Sequence, residues 1–200
     1  ADGRFWYSLG NGLGNGLDNN WYLDGNNASV VSSDGNKTTV QMGSGYRGDL
    51  WLARSGKGKI VNVTPADYRY FAIKVGFKSQ LVPGKNKPNG CIKLEIFDDG
   101  IKKIGPEYFG TGGDANNRYE ILGASEISTT EPNVLYYDLQ SKYKTVTPTD
   151  WNQVFDLSQC KFVIADFPET AQTYDLYWIR SFKSIEELQA FVDSENNTNE

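Results

Sequence analysis

The amino-acid sequence predicts an all-β protein, a two-sheet β-sandwich of jelly-roll type with one short C-terminal α-helix. Three observations carry that expectation. Aromatic residues make up 14% of the chain, with 5 Trp, 12 Tyr and 10 Phe, and such residues favour strands. Short β-rich runs recur between turn clusters drawn from Asp, 21 Gly and 17 Asn, residues that accept turn geometry. Several runs alternate apolar with polar residues, the period of two expected where one sheet face packs and the other is wet.

Taken in order, Phe5-Trp6-Tyr7 reads as a first short strand, followed by a Gly/Asn tract. Residues 1–20 are thus an N-terminal segment leading into the domain, and residues 21–193 form the sandwich. Strands are expected at 29–32, 38–42, 46–54, 70–78, 91–97, 119–122, 133–138, 161–165 and 175–181. In 46–53, Tyr46, Gly48, Leu50 and Leu52 share one face and Arg47, Asp49, Trp51 and Ala53 the other. In 71–77, Phe71, Ile73, Val75 and Phe77 face one way. In 92–97, Ile92, Leu94 and Ile96 face in while Lys93 and Glu95 face out. Ser184-Ile185-Glu186-Glu187 is a capping box. Ile185, Leu188 and Phe191/Val192 then recur at helical spacing, so a helix is expected over about 185–193. Residues 194–200, SENNTNE, read as a disordered tail.

Composition excludes several functions. The net charge is −5 and the pI about 4.9, so the basic footprint of a nucleic-acid binder is missing. The mean hydropathy of −0.53 and the lack of an 18-residue apolar run leave no membrane-spanning helix and no direct membrane insertion. The opening residues carry no signal or lipid-anchor motif, and the expectation is an excised domain or a trimmed mature chain. There is no histidine, which removes Ser-His and Cys-His nucleophiles and His-ligated metals. No nucleophile elbow, phosphate loop or dinucleotide fingerprint occurs. Glu95-Ile96-Phe97-Asp98-Asp99 fails the spacing of a carboxylate pair on one strand face, since Glu95 shares its face with Phe97. Asp98-Asp99-Gly100 reads instead as a hairpin turn.

No catalytic residue and no cofactor are therefore expected. Asp18-Asn19-Asn20 and Asp24-Gly25-Asn26-Asn27 would suit a structural calcium, although turn formation explains them more simply. Cys91 falls on the outward face of its strand and Cys160 on an inward one, which argues for free thiols and does not fix the compartment.

The tryptophans are the informative residues. Trp51 stands on a polar face, flanked by Arg47 and Asp49. A large ring on a face that should be wet is either covered by another element or kept for a ligand. A pyranose presents an apolar C–H face that stacks on indole, and its hydroxyls need donors and acceptors such as Arg47 and Asp49. Trp21 and Trp151 lie in loop-like stretches and serve as outer platforms or as plugs for the core. Trp178 is expected in the core beside Leu176. Tyr177 then faces outward as a further platform, and Trp6 could face either way.

Several segments resemble a known family. They are Tyr46-Arg47-Gly48-Asp49-Leu50, Tyr70-Phe71-Ala72-Ile73-Lys74, Val134-Leu135-Tyr136-Tyr137-Asp138-Leu139, Phe162-Val163-Ile164-Ala165-Asp166 and the ending from Tyr174 to Glu187. Together they resemble the C-terminal carbohydrate-binding β-sandwich domain of Bacteroidetes surface glycan-binding proteins, found in polysaccharide-utilisation systems. The likeness covers about 38–192, and the ending is its most specific part. Trp51 stands where a polar residue is expected in that family, and no binding residue is carried over. The resemblance implies a module without catalysis, displayed outside the cell on an outer-membrane lipoprotein or secreted multidomain protein, beside neighbouring domains. The expected function is binding of a neutral polysaccharide, a β-glucan such as laminarin or a xylan, through Trp51, Arg47, Asp49, Trp21, Trp151 and Tyr177. The alternatives are a glycoside hydrolase of jelly-roll type and an adhesion sandwich that buries its aromatics against a neighbouring domain.

Overall fold

The computed structural model describes residues 6–7, 22–23, 27–43, 48–53, 61–63, 66–78, 91–98, 107–111, 128–138, 140, 155–165 and 173–197. Among them run β1 (Trp6–Tyr7), β2 (Tyr22–Leu23), β3 (Ser29–Ser33), β4 (Thr38–Gln41), β5 (Leu50–Ala53), β6 (Val61–Val63), β7 (Tyr70–Phe77), β8 (Cys91–Asp98), β9 (Glu107–Thr111), β10 (Asn133–Asp138), β11 (Phe155–Ala165), β12 (Thr173–Phe182) and α1 (Ile185–Asn197). One sheet has the order β10-β7-β12-β4-β3, with β1 also on β12. The other has the order β2-β5-β11-β8-β9, with β6 also on β11. All pairings are antiparallel. From β4 onward the chain crosses repeatedly from sheet to sheet, the connectivity of a jelly roll.

The inner face of the first sheet is apolar and closed to water: Val40, Phe71, Ile73, Val75, Leu135, Leu176 and Ile179 are at most 1% exposed. Leu50, Phe162 and Ile164 are buried on the second sheet. The sheets meet at Gly48, whose carbonyl accepts the Tyr174 hydroxyl at 2.6 Å. A Cβ there would lie 2.9 Å from Tyr174 Cε1 and 3.4 Å from both Met42 Cγ and Val40 Cγ1. The Tyr174 ring is pinned by its own hydrogen bond and cannot yield. Gly48→Ala is therefore expected to cost about 1–3 kcal/mol, as overpacking of a filled core does. Denaturant unfolding checks this, and an unchanged midpoint would contradict it.

A second, smaller core lies on the outer face of the first sheet. Here Ala72, Trp178 and Phe182 are covered by α1 through Leu188 and Phe191. The Trp178 and Phe191 rings meet edge-on at 5.3 Å. The helix begins with the first half of the capping box, Glu187 N–H donating to Ser184 Oγ, while the Glu187 carboxylate reaches one residue beyond the cap and accepts the Lys183 N–H. It continues beyond the expected end near residue 193, through Asn197. So 194–197 are helical and not part of a disordered tail. Their weak helix propensity is overridden by tertiary contact, since Glu195 accepts Trp178 Nε1–H at 3.1 Å and pairs with Lys74 at 3.5 Å.

The expected side for Trp178 is corrected by a β-bulge. The register of β12 on β7 slips between Leu176 and Trp178. Tyr177 is the extra residue, and Trp178 turns away from Leu176 to the helix side. It is buried, 6% exposed, but in the smaller core.

Most strands fall where alternation placed them, and β10 matches its expected range at both ends. β11 is six residues longer than expected, and β2, β6 and β9 were not foreseen. Gly110 and Thr111 pair with Lys93 and Ile92 at the end of β9. Asp98, expected in a hairpin turn, closes β8 opposite Leu157. The strand expected at 119–122 lies outside the described residues. Cys91 pairs with Ala165 and Cys160 with Ile96. Five residues along β11 put the two cysteine positions about 16 Å apart, far beyond disulfide reach.

Candidate functional site

The register of the second sheet defines a row that the sequence alone left scattered. Antiparallel partners share a side of the sheet, and successive residues take opposite sides. Leu50 pairs with Phe162, which pairs with Leu94. Because Leu50 and Phe162 are fully buried, this row belongs to the core side. The neighbouring row runs Tyr22, Trp51, Lys161, Glu95, Tyr108 across β2, β5, β11, β8 and β9. It lies on the opposite side of the sheet. At about 4.8 Å between strands, these five positions span about 19 Å. The next row on that side contains Val163, Lys93 and Gly110.

Asp49 and Lys161 fix the middle of this surface. Asp49 Oδ2 lies 3.7 Å from Lys161 Nζ, and the side chains are only 6% and 12% exposed. Asp49 Oδ1 accepts the Ile164 N–H at 3.1 Å, while the Ile164 carbonyl accepts the Gly48 N–H at 2.8 Å. The Asp49 carboxylate thus stands in for a ladder carbonyl where β5 begins. This corrects the expected role of Asp49: its oxygens serve the fold, and burial keeps them from sugar hydroxyls. Asp49→Ala takes the acceptor from the Ile164 amide and a carboxylate from beside Lys161 and is expected to cost about 3 kcal/mol. Asp49→Asn keeps an acceptor for Ile164 and should cost less. Equal losses in chemical denaturation would show that the hydrogen bond contributes nothing.

The other candidates separate. Trp51 occupies the centre of β5, between Tyr22 and Lys161. Arg47, Trp21 and Trp151 lie outside the described residues, as do the two loops considered for calcium apart from Asn27. Tyr177 lies on the first sheet, half-buried beside the Trp178 cluster. Lys74 Nζ sits 5.2 Å from its ring centroid, and burial pushes its phenol pKa up. Tyr177 and Trp51 are therefore on different sheets, each on the side away from the common core, and cannot form one platform. The residues that do share a row with Trp51 are Tyr22, Lys161, Glu95 and Tyr108. Only Glu95 carried a sequence signal, the outward face of an alternating strand.

Among the described residues, no three His, Cys, Asp or Glu side chains gather as a metal would require. Nor is any helix among them long and apolar enough to cross a membrane.

Comparison with known proteins gives one family match and remote structural likenesses. The family described as Domain of unknown function (DUF4979) matches residues 12–188. No curated protein matches the chain. Among solved structures, a low-affinity xylan-binding module, CBM86, from Roseburia intestinalis is similar at 11% identity and a TM-score of 0.37, over 90% of this chain and 94% of that one. A family 11 carbohydrate-binding module from Clostridium thermocellum, in complex with a β-1,3-1,4-mixed-linked tetrasaccharide, is similar at 10% identity and a TM-score of 0.41. That likeness covers 92% of this chain and 98% of the other.

Proposed function

We propose that this chain, which belongs to the DUF4979 family, is a non-catalytic module that binds a neutral polysaccharide, a β-glucan or a xylan. The observation that carries this reading is the row Tyr22–Trp51–Lys161–Glu95–Tyr108 on the side of the second sheet away from the core. Three aromatic residues in one line give successive sugar rings an apolar surface for their C–H faces. Glu95 in the same row supplies an acceptor for hydroxyls. Lys161 itself is 12% exposed and lies 3.7 Å from Asp49. Its charge is balanced by Asp49, so the row carries no net cation to select a polyanion.

Arg47, Trp21 and Trp151 remain contributors by sequence position: Arg47 alternates with Asp49 and Trp51, and Trp21 and Trp151 fall in loop-like stretches. The segments that resemble surface glycan-binding domains of Bacteroidetes support display outside the cell, beside neighbouring domains and without a cofactor. Affinity for a single site is expected to be about micromolar to millimolar, because hydroxyls exchange good water contacts for protein ones.

Electrophoresis through gels containing laminarin, mixed-linkage β-glucan, xylan or mannan tests the reading, together with a reducing-end assay on the same polysaccharides. Retardation without new reducing ends is expected. Released reducing ends would make the chain a glycoside hydrolase. Free migration in every gel would favour an adhesion sandwich.

A further inference from the structure

We propose a second carbohydrate-binding site on the first sheet, centred on Gly76 and Tyr177, separate from the Trp51 row. It rests on the reading of the chain as a carbohydrate-binding module. The bulge in β12 aims two consecutive aromatic residues to the outer side, a device by which sheets re-aim side chains. Trp178 is consumed by α1, whereas Tyr177 stays half-exposed. Beside it, Gly76 pairs with Asp175 and leaves a niche with no side chain on its floor. A Cβ at Gly76 would sit 3.7 Å from the Tyr177 ring and 3.7 Å from Asp175 Cβ. One wall is therefore an aromatic edge and the other a carboxylate. Asp175 accepts from Lys37 Nζ at 3.1 Å and from Thr39 Oγ1 at 2.7 Å. Lys37 remains 37% exposed, so donors and an acceptor crowd the rim.

The charges select the ligand class. Asp175 is matched by Lys37 and Lys74 by Glu195. With Asp34 also within electrostatic reach of Tyr177 and Lys37, the niche has no excess of cations, and one ring with a fork of polar groups suits a neutral sugar: its C–H face fits over Gly76 against Tyr177, and its hydroxyls reach Asp175, Lys37 and Thr39. The two sites lie on opposite outer faces of the sandwich. They engage separate polysaccharide chains, or distant stretches of one, and raise retention by avidity.

Gly76→Val tests this cleanly. The first added carbon meets neighbours at ordinary contact distance and a β-branched residue suits a strand; a thermal melt run beside the gel checks that the fold is kept while the niche is filled. In the polysaccharide gel that most retards the wild type, Gly76→Val and Tyr177→Ala should each weaken retention about threefold. The residual retardation of Trp51→Ala should vanish in Trp51→Ala/Gly76→Val. Wild-type retention by both single variants, with the double variant no weaker than Trp51→Ala, would overturn the second site and leave the first standing. A wild-type protein that no gel retards would overturn both.

Discussion

Trp51→Ala is expected to weaken retention by the preferred polysaccharide at least about 10-fold, a loss of about 1.4 kcal/mol or more, while the thermal midpoint moves little. The reason is position. Trp51 is central in its row, with Tyr22 on one side and Lys161 on the other, and the buried Leu50 that precedes it belongs to the opposite row. Truncation then removes the middle of an extended surface, where loss is felt most. Gel retardation and a thermal melt on the same sample read both effects. A stability loss of about 3–5 kcal/mol would instead mean that the indole is a packing residue. Undiminished retention with an unchanged melt would mean that the row is not the ligand surface.

Trp178→Ala carries the largest expected effect on stability, about 3–5 kcal/mol. The indole is 6% exposed, meets Phe182 at 6.1 Å and Phe191 at 5.3 Å, and donates to both oxygens of Glu195 at 3.1 Å. Its removal opens a cavity beneath α1 and takes the donor from Glu195. Trp178→Phe keeps most of the ring contact and loses only the N–H, so about 1–2 kcal/mol is expected. Urea unfolding separates the two. A Trp178→Ala loss under about 1 kcal/mol would contradict the account of the smaller core. Retention through the Trp51 row should survive in both variants under native conditions, because that row lies on the other sheet.

How much was legible in the sequence follows from the reach of each signal. Alternation is local and strong in 70–78 and 133–138, and those strands formed with nearly the expected ends. The capping box at Ser184 is also local, and the helix starts where it directs. Its far end was misread because the contacts that hold 194–197 come from Trp178 and Lys74, distant in sequence. Trp178 itself was assigned the wrong side because one extra residue in β12 reverses every later face. The first half of β11 gave no clear alternation through Asp156, Ser158 and Gln159. It is held as a strand by β6 and β8.

The site was half legible. The position of Trp51 on a polar face is an inference from alternation within one strand; the register pairs it with Lys161 and Tyr22. Its row-mates come from four other strands, and only pairing brings them together; Tyr22 sits in a two-residue strand too short to show a period. Asp49 was placed on the right face but given the wrong task. Nothing in its sequence neighbourhood reveals that Ile164, 115 residues away, needs its oxygen.

The central claim is that the core-opposite row of the second sheet holds the glycan. A titration of isotope-labelled protein with a soluble oligosaccharide of the preferred polysaccharide, followed by amide and indole resonances, tests it most directly. The account predicts the largest shifts at Tyr22, Trp51, Lys161, Glu95 and Tyr108, as one contiguous line. Largest shifts elsewhere, with the Trp51 amide and indole resonances unmoved, would contradict it.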